Sequence, residues 1–589
     1  MYSVWTRLPR GLCRSTERLE KGFKEVHRPW GDESVGRVKD LFATETQQIA
    51  NRNLSQNRSS PVFDLHNRGG RPLSAHMQLF KTPLFLASLL SLGISSIEAD
   101  VTLPNIFGDH MVLQREHANP VWGQADAGEK VTVRFDGQSH TTTATAEGTW
   151  RVKLNPMDAS AEPKVLQVSG LNNQVSISDV LVGEVWICSG QSNMQWPLNK
   201  ANNGAVEIAA ANHAEIRLIS VPQVGTQEPQ NNFEGAWGIC TPQAVSNFSA
   251  VGYLFGSRIH SALGVPVGLI DNAWGGSAAE AWVPRDALEA DDTYTELLES
   301  WDAKVAAYTD EVHNTKLAEF KAWQAAGKPK PHKRSPRDFR TGQHRPSNLF
   351  NGVLNPTIGY GIRGVIWYQG ESNSGRAYQY RSLFPLMITT WRDLWQQGDF
   401  PFYWVQLADF MEEVPEPSDS AWAELREAQT MTLSLPNTGQ AVIIDAGEGR
   451  DIHPRDKTTV ANRLVRLALA NDYGYQIDAQ SPRYASMQIS DSAIALTFDH
   501  LSSQGLRTFD VKHPFGFTIA GEDQVFVKAD AKIIGKNKVL VSSAGVLNPV
   551  AVRYAWANNP VANLQDHNGL PVTPFRTDDW PCITANAVK

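Results

Sequence analysis

Cysteine is scarce in this sequence, which has four in 589 residues. Cys13, Cys188, Cys240 and Cys582 lack the paired spacing of a metal site and are too few for a disulfide framework. A Cys188–Cys240 bridge in an oxidising compartment and a buried, free Cys188 both fit this pattern. We expect neither a metal nor another cofactor.

Positive charge is also scarce. The sequence has 54 Lys and Arg and 62 Asp and Glu, which gives a net charge of −8. Surfaces that bind nucleic acid are rich in Lys and Arg, so nucleic acid is excluded as the main partner. The hydrophobic fraction of 41% is typical of a folded chain. The length predicts roughly two to four domains.

Long apolar runs are rare, and the one that stands out is Leu84–Ile94. It lies within residues 77–99, after Lys81 and before Ala99, a small residue suited to cleavage. This order predicts a secretory signal peptide, too short for a stable membrane-spanning helix. The mature chain is therefore expected in the periplasm or outside the cell, without a membrane anchor.

A signal peptide belongs at the N-terminus, but this one begins at Met77. We therefore expect translation to start at Met77 and residues 1–76, which are Arg-rich and without periodicity, to be an over-extended reading frame. The alternative is a genuine disordered extension before an internal apolar helix. The mature protein is expected to begin at Asp100.

Two β regions flank the middle of the chain. Residues 100–179 contain alternating runs such as Val131–Phe135, followed by turn residues, and predict a small β-sandwich domain with a structural or substrate-positioning role. Residues from 483 to 589 lack helical periodicity and contain strand-like runs such as Ala493–Phe498. They predict a second, C-terminal β-rich region.

Residues 180–482 alternate between helical and strand patterns, which predicts a parallel sheet flanked by helices. Ala250–Leu263 has apolar residues at helical spacing, and Val267–Ile270 reads as a short buried strand. Residues 285–345 read as a charged helical insertion. In such α/β folds, functional residues gather at the carboxyl ends of the strands.

The first strand end of interest joins the apolar run Val185–Ile187 to the sequence Ser189-Gly190-Gln191-Ser192-Asn193. A serine on a tight turn after a buried strand is a suitable position for a nucleophile, because backbone N–H groups can face an anion there. An ordinary strand-to-loop turn fits this segment equally well. The distinction depends on partners elsewhere in the chain.

Three later strand ends offer such partners. The run Val267–Ile270 is followed by Gly275-Gly276, whose backbone could approach a ligand closely. The next, Gly364–Tyr368, leads into Gln369-Gly370-Glu371-Ser372-Asn373. The last, predicted as Ala441–Ile444, precedes Asp451-Ile452-His453.

Asp451 and His453 are two residues apart. In an extended segment such residues point the same way, so Asp451 could hold one ring nitrogen while the other faces the serine.

Three of these segments together resemble the sialate O-acetylesterase family, which consists of SGNH-type hydrolases related to acetylxylan esterases. They are Ser189–Met194, Trp367–Asn373 and Asp451–Pro454. The resemblance extends over nearly all of residues 100–589. It also includes residues 111–115, 121–123, 552–557 and 574–577.

The resemblance implies an SGNH-like three-layer α/β/α fold and an esterase that removes O-acetyl groups from sugars through an acetyl-enzyme. It implies Ser192 as nucleophile and His453 as general base. Oxyanion and substrate contacts are implied for the Ser192 N–H and for a further set of residues: Gly276, Gln369, Gly370, Asn373, Gln191 and Asn193.

The acid of the triad stays open between Asp451 and Glu371. The wider SGNH pattern has an aspartate three residues before the histidine, and Arg450 occupies that position here. Related acetylxylan esterases use the glutamate that Glu371 matches. We prefer Asp451 as the partner of His453 and keep Glu371 as a site residue.

The substrate also has alternatives. The resemblance implies acetylated sialic acid or a related acetylated carbohydrate. An acetylxylan esterase shares the same residues, and a non-catalytic carbohydrate-binding protein is a third interpretation, which the intact Ser192 and His453 argue against. An aromatic platform for the sugar is predicted from Trp196, Trp282, Trp367 and Tyr368, although Trp367 is equally suited to the core.

Overall fold

The computed structural model describes residues 100–588. The predictions for residues 1–76 and for the signal peptide at 77–99 lie outside the described residues.

The described residues form 23 strands and ten α-helices. The strands are β1 (Val112–Gln114), β2 (Pro120–Gln124), β3 (Lys130–Phe135), β4 (Gln138–Thr143), β5 (Thr149–Lys153), β6 (Ser160–Ser169), β7 (Gln174–Gly190), β8 (His213–Ser220), β9 (Gly238–Cys240), β10 (Val267–Asp271), β11 (Gly364–Tyr368), β12 (Phe402–Val405), β13 (Thr438–Ala441), β14 (Arg483–Ser490), β15 (Ala493–Asp499), β16 (Leu506–Thr508), β17 (Phe517–Ala520), β18 (Val527–Lys528), β19 (Asp530–Ile534), β20 (Lys538–Ser542), β21 (Ala551–Tyr554), β22 (Leu564–Asp566) and β23 (Phe575–Arg576).

The helices are α1 (Ser192–Gln195), α2 (Gly204–Ala210), α3 (Pro242–Ser246), α4 (Ala250–Leu263), α5 (Arg285–Glu289), α6 (Thr295–Ala306), α7 (Asp310–Ala325), α8 (Ala377–Trp395), α9 (Ala421–Met431) and α10 (Lys457–Asn471). Shorter 3₁₀ turns occupy Leu198–Lys200, Ala279–Trp282, Asp292–Tyr294, Asn355–Thr357, Glu371–Arg376 and Thr432–Ser434, and a π turn occupies Phe350–Leu354.

The central sheet has the strand order β13-β12-β11-β7-β10-β8-β9. All neighbours pair in parallel except β9, which is antiparallel to β8 at the edge. The chain builds β8 and β10 on one side of β7 and then crosses to place β11, β12 and β13 on the other side. Such a reversal opens a crevice at the carboxyl end of the middle strands, which is where ligands bind in this architecture.

Helices cover both faces of this sheet, which confirms the predicted three-layer α/β/α arrangement. Val185 and Ile187 of β7 join the core that contains α8 and α9. Trp186 and Cys188 face the opposite way, into the core that contains α4 and α10. The alternation follows from the two-residue period of a strand, and each fully buried large apolar side chain contributes roughly 1.5–3 kcal/mol.

The ends of helix α4 follow from local sequence signals. The apolar spacing predicts a helix over Ala250–Leu263, and α4 has these bounds. Its N-terminus is capped by Ser249, whose side-chain oxygen accepts the Gly252 N–H, and its C-terminus ends at Gly264 in the left-handed conformation. These are the ordinary start and stop signals of a helix.

The strand predicted at Ala441–Ile444 is shifted in the structure, where β13 covers Thr438–Ala441. Gly439 and Gln440 pair with β12, so the less apolar part of the segment lies in the sheet. Val442 and Ile444 are buried instead in the core of the C-terminal β region. An apolar run divided between two cores resembles a strand in sequence, which is why the prediction was wrong.

Strand β7 is 17 residues long and belongs to two parts of the molecule. Its first half pairs with β1 and β6 of the N-terminal β region, and its second half lies in the central sheet. The boundary predicted between residues 179 and 180 falls inside this strand. The sheet of the N-terminal region is thus continuous with the central sheet.

Eight of the ten C-terminal strands form two four-stranded antiparallel sheets, with orders β14-β15-β20-β19 and β18-β17-β21-β23, and the other two, β16 and β22, pair with each other. They share one apolar core, which also receives Val442 and Ile444. In residues 285–345 the chain forms α5, α6 and α7, and α7 buries none of its side chains.

Cys188 and Cys240 are both buried and free, which excludes the bridge between them. Within residues 100–588, every helix is too short or too polar to cross a bilayer.

Candidate active site

The candidate site begins where β7 ends. Gly190 has a φ of +131°, and a Cβ built on it would lie 2.3 Å from the Tyr368 carbonyl oxygen. Only glycine therefore lets the ends of β7 and β11 approach this closely. The Gln191 N–H donates to the same carbonyl at 2.9 Å, and α1 then starts at Ser192. The serine is held at the carboxyl end of the middle strand, beside the crevice.

Ser192 and His453, which are 261 residues apart in sequence, meet in this crevice. The His453 Nε2 lies 2.9 Å from the Ser192 Oγ. The Trp196 ring stacks on the imidazole, with 5.1 Å between ring centroids. Burial lowers the pKa of His453, which favours the neutral ring that can accept a proton.

Asp451 lies against the other side of the histidine. Its Oδ1 accepts the backbone N–H of His453 at 3.0 Å and is 3.4 Å from the His453 Nδ1. The backbone hydrogen bond from His453 lowers the pKa of Asp451 and so favours its ionised form. Asp451 is partly exposed and also lies 3.6 Å from an Arg455 guanidinium nitrogen.

Glu371 lies deeper and faces a different partner. Its Oε1 accepts a hydrogen bond of 2.6 Å from the Asn193 Nδ2, while its Oε2 is buried without a hydrogen-bond partner. Burial raises the pKa of Glu371. Among the described residues, no hydrogen bond or ion pair joins Glu371 to His453.

The Asn193 side chain points into the protein. Its Nδ2 also donates to the Ile452 carbonyl oxygen at 3.0 Å, and its Oδ1 accepts from the Lys457 Nζ at 2.6 Å. Lys457 is fully buried, and burial lowers its pKa to about 7. Lys457 is absent from the predicted site residues, because a lysine at the start of an amphipathic helix normally faces solvent.

Gln191 connects the loop after β7 to the loop after β11. Its Oε1 accepts the backbone N–H groups of Gly370 and Ser372, at 3.3 and 3.4 Å. The Ser372 Oγ in turn donates to the Gly276 carbonyl oxygen at 3.1 Å. Three of the strand ends predicted from the sequence are therefore joined directly.

Gln369 and Asn373 are both buried and support the glycine loop after β10. The Gln369 Nε2 donates to the Ser277 carbonyl oxygen at 3.1 Å and to the Asn373 Oδ1 at 2.7 Å. The same Asn373 oxygen accepts the Ala279 N–H at 2.9 Å. Both amide hydrogens of Gln369 are thus used in holding the loop that contains Gly276.

The serine and the histidine open into a cavity of about 540 Å³ at the carboxyl ends of β7, β8 and β10. Trp196, Lys200, Gln223 and Asp271 contribute to its walls. Burial raises the pKa of Asp271, the last residue of β10, to about 7. Asp271 was absent from the predicted site residues, although its position at a strand end was a visible signal.

The predicted aromatic platform is wrong for three of its four members. Trp282, Trp367 and Tyr368 are fully buried in the core, so no sugar can reach them. Trp196 lines the cavity. Within the described residues, no cluster of three or more His, Cys, Asp or Glu side chains could hold a metal ion.

A three-layer α/β/α sheet with a serine–histidine pair at its carboxyl edge is typical of hydrolytic enzymes with an activated serine. The chain is 30% identical to the sialate O-acetylesterase of Mus musculus over 548 residues, which are 84% of this chain and 97% of that protein. The chain belongs to the sialate O-acetylesterase family and is a carboxylic ester hydrolase.

Further comparisons agree with this assignment. Residues 182–316 and 347–469 match the family model described as a carbohydrate esterase, sialic acid-specific acetylesterase. The Homo sapiens sialate O-acetylesterase is 28% identical over 563 residues, which are 86% of this chain and 98% of that protein. The crystal structure of a carbohydrate acetylesterase from Xanthomonas citri superimposes with a TM-score of 0.69 at 37% identity, and the match covers 82% of this chain and all of that chain.

Proposed function

We propose that the protein removes O-acetyl groups from acetylated carbohydrates, with acetylated sialic acid as the preferred substrate, through an acetyl-enzyme on Ser192. The observation that carries the proposal is the 2.9 Å contact between the His453 Nε2 and the Ser192 Oγ, in a cavity of about 540 Å³. The names of the family relatives support the substrate class.

In the first half of the reaction, His453 takes the proton of the Ser192 hydroxyl while the Ser192 Oγ attacks the acetyl carbonyl carbon. The N–H groups of Ser192 and Gly276 would hold the oxyanion, since neither donates to an acceptor among the described residues. Each such donor is worth roughly 3 kcal/mol in the transition state. His453 then gives its proton to the sugar oxygen as the ester bond breaks, and the sugar leaves.

In the second half, water attacks the acetyl carbonyl carbon and His453 takes one proton from that water. The bond to the Ser192 Oγ then breaks, His453 returns the proton to the serine, and the acetyl group leaves as acetic acid, which ionises to acetate. Gln369 and Asn373 would act indirectly, because their hydrogen bonds hold the loop that carries Gly276. Gln191 and Gly370 would act in the same way by joining the loops after β7 and β11.

Asp451 is our candidate for the acid that orients His453 and stabilises the imidazolium. Its contact of 3.4 Å with the Nδ1 supports this role, and the hydrogen bond from the His453 N–H keeps its pKa low. Glu371 contacts Asn193 instead of the imidazole. Its role would therefore be indirect.

The test of catalysis compares acetate release from 4-nitrophenyl acetate by the unmodified protein and by Ser192→Ala. We expect a loss on the order of 10⁴-fold or more. Ser261→Ala, an exposed serine on α4, is the matched control and should retain the full rate. Equal rates for the unmodified protein and Ser192→Ala would exclude Ser192 as the nucleophile.

We favour sialic acid over acetylated xylan as the substrate because one wall of the cavity carries a lysine. Lys200 lines this wall, and its ammonium lies 5.7 Å from the centroid of the Trp196 ring. A lysine in this position attracts the carboxylate of an acidic sugar, which xylan lacks.

Acetate release from 9-O-acetyl sialic acid and from acetylated xylan would be compared for the unmodified protein and Lys200→Met. We expect the substitution to raise KM for the sialic acid by about 10-fold and to leave hydrolysis of 4-nitrophenyl acetate unchanged. A higher kcat/KM on xylan in the unmodified protein would favour the acetylxylan esterase alternative.

Export is part of the proposal and rests on the sequence of residues 77–99. The protein would act in the periplasm or outside the cell, after cleavage behind Ala99. N-terminal sequencing of the exported protein tests this, and Asp100 is the expected first residue. Recovery of the protein with residues 1–76 attached would contradict it.

A further inference from the structure

The half-buried acid Glu371 and the fully buried base Lys457 are joined by one amide, that of Asn193. The Lys457 Nζ donates to the Asn193 Oδ1 at 2.6 Å, and the Asn193 Nδ2 donates to the Glu371 Oε1 at 2.6 Å. An ammonium can only donate and a carboxylate can only accept, so these partners allow Asn193 a single amide orientation. Both contacts are short, as charge-assisted hydrogen bonds are.

This arrangement is costly to build. Lys457 has no exposed surface, and the Glu371 Oε2 is buried without a hydrogen-bond partner. Burial lowers the pKa of Lys457 to about 7 and raises that of Glu371, while each charge favours the ionised form of the other. Apolar residues of the same size would often give equal or greater stability, so stability alone does not account for the pair.

The amide between the two charges also reaches the catalytic residues. Asn193 directly follows Ser192 in the chain, and its remaining N–H donates to the carbonyl oxygen of Ile452, the residue before His453, at 3.0 Å. The side chain next to the serine therefore holds the backbone next to the histidine. If the amide lost its orientation, both hydrogen bonds of its Nδ2 would be lost.

We propose that Lys457, Asn193 and Glu371 form one positioning unit that holds the Ile452–His453 segment against Ser192, and that Lys457 sets the orientation of the Asn193 amide. The inference rests on the proposed function of Ser192 and His453. Lys457 touches neither the serine nor the histidine, so it is a positioning residue.

Lys457 also acts on His453 through its charge. The ammonium disfavours a second positive charge on the imidazole and lowers the pKa of His453, while Asp451 raises it. The acidic groups that face Lys457 are Glu371, Glu448, Asp451 and Asp456. Because the pKa of Lys457 is about 7, the ammonium is charged in the pH range in which His453 titrates.

The test is the pH profile of kcat/KM on 4-nitrophenyl acetate for Lys457→Met. We expect kcat to fall roughly 100-fold, the effect of a catalytic group displaced by about 1 Å, with little change in KM. We also expect the acid-side midpoint to move to higher pH, because the cation that disfavours imidazolium is gone. Lys528→Met, at an exposed lysine paired with Glu416, is the control and should change neither quantity.

Lys457→Met leaves Glu371 buried without its counter-charge, which could prevent folding. The double variant Lys457→Met with Glu371→Gln removes both charges and keeps the shapes. We expect it to have the midpoint of Lys457→Met and the same loss of kcat, because residues that act as one unit are not additive.

If the double variant has the midpoint and the kcat of the unmodified protein, the inference is overturned. It is also overturned if the double variant loses kcat by the product of the losses of the two single variants. The proposed function is tested separately by Ser192→Ala. If Ser192→Ala is inactive and the lysine variants behave like the unmodified protein, only the positioning unit is wrong.

Discussion

The pKa of His453 results from opposing influences on a single ring. Burial among Trp196 and its neighbours lowers it, and the Lys457 ammonium acts in the same direction. Asp451 raises it. The net direction is downward, which leaves the imidazole neutral and ready to accept the serine proton near neutral pH.

The pH profile of the unmodified protein should reflect this shift. A protonated imidazole cannot accept the Ser192 proton, so kcat/KM falls as the pH drops through the pKa of His453. We expect the midpoint to lie below the ordinary value for histidine, about 6.5. The measurement is kcat/KM on 4-nitrophenyl acetate between about pH 4 and 8, with circular dichroism to show that the fold persists. A midpoint above about 6.5 would contradict the lowered pKa of His453.

The choice between the two carboxylates can be decided with isosteric amides. Asp451→Asn should lower kcat by about 10³- to 10⁴-fold, because the contact with the His453 Nδ1 loses its charge. Glu371→Gln should cost less, since Glu371 reaches the histidine only through Asn193 and Ile452. If Glu371→Gln alone abolishes the rate, our preference for Asp451 is wrong.

At the scale of elements, β7 is the strand on which the site depends. It joins the N-terminal β region to the central sheet and ends at Gly190, against β11. The closeness of β7 and β11 allows the Gln191 N–H to reach the Tyr368 carbonyl and sets the direction of the turn before Ser192. The position of the serine is therefore a property of two strands.

Gly190→Ala should disrupt this turn. Its φ of +131° strains any other residue, and the added Cβ would lie 2.3 Å from the Tyr368 oxygen. We expect a stability loss of about 3 kcal/mol or more and a loss of activity that exceeds the loss of folded protein. Thermal unfolding and the specific rate of the folded fraction measure these quantities.

Gly375→Ala is the matched control for Gly190→Ala. It lies in the 3₁₀ turn Glu371–Arg376 that follows β11, and an added Cβ would meet no atom within 4 Å. The control should unfold at the temperature of the unmodified protein. Equal behaviour of the two variants would show that the close approach of β7 and β11 does not require glycine.

At the scale of the whole molecule, a buried arginine ties the C-terminal β region to the central sheet. Arg426 of α9 donates to the carbonyls of Leu407 and Ala408, beyond the end of β12. It also donates to the carbonyls of Ala557 and Asn558, which follow β21. The planar guanidinium suits this task, because its five N–H groups point in fixed directions.

Arg426→Lys should therefore lower stability even though it keeps the charge. An ammonium cannot reach four carbonyls on two segments, and each unsatisfied buried group costs about 1–3 kcal/mol. We expect a clear fall in the urea concentration at the midpoint of unfolding. Arg285→Lys, at a partly exposed arginine paired with Asp302, should change it little. If both substitutions lower the urea midpoint by a similar amount, Arg426 does not have the special role that we assign to it.

Much of the architecture could be predicted from the sequence because its signals are local. Apolar spacing and capping residues predict both ends of α4 correctly, and the alternation of helical and strand patterns predicts the parallel sheet. Short motifs at strand ends are sufficient to indicate the family. The shift of β13 is the exception, because two separate cores divide one apolar run between them.

The sequence by itself determined the fold class, the family and the segments from which the site is built, since these depend on patterns within a few residues. Only the tertiary structure decided which carboxylate lies beside His453, that Trp282 and Trp367 belong to the core, and that Lys457 is buried under Asn193. Burial and pairing of these side chains depend on residues far away in the chain. No local pattern carries that information.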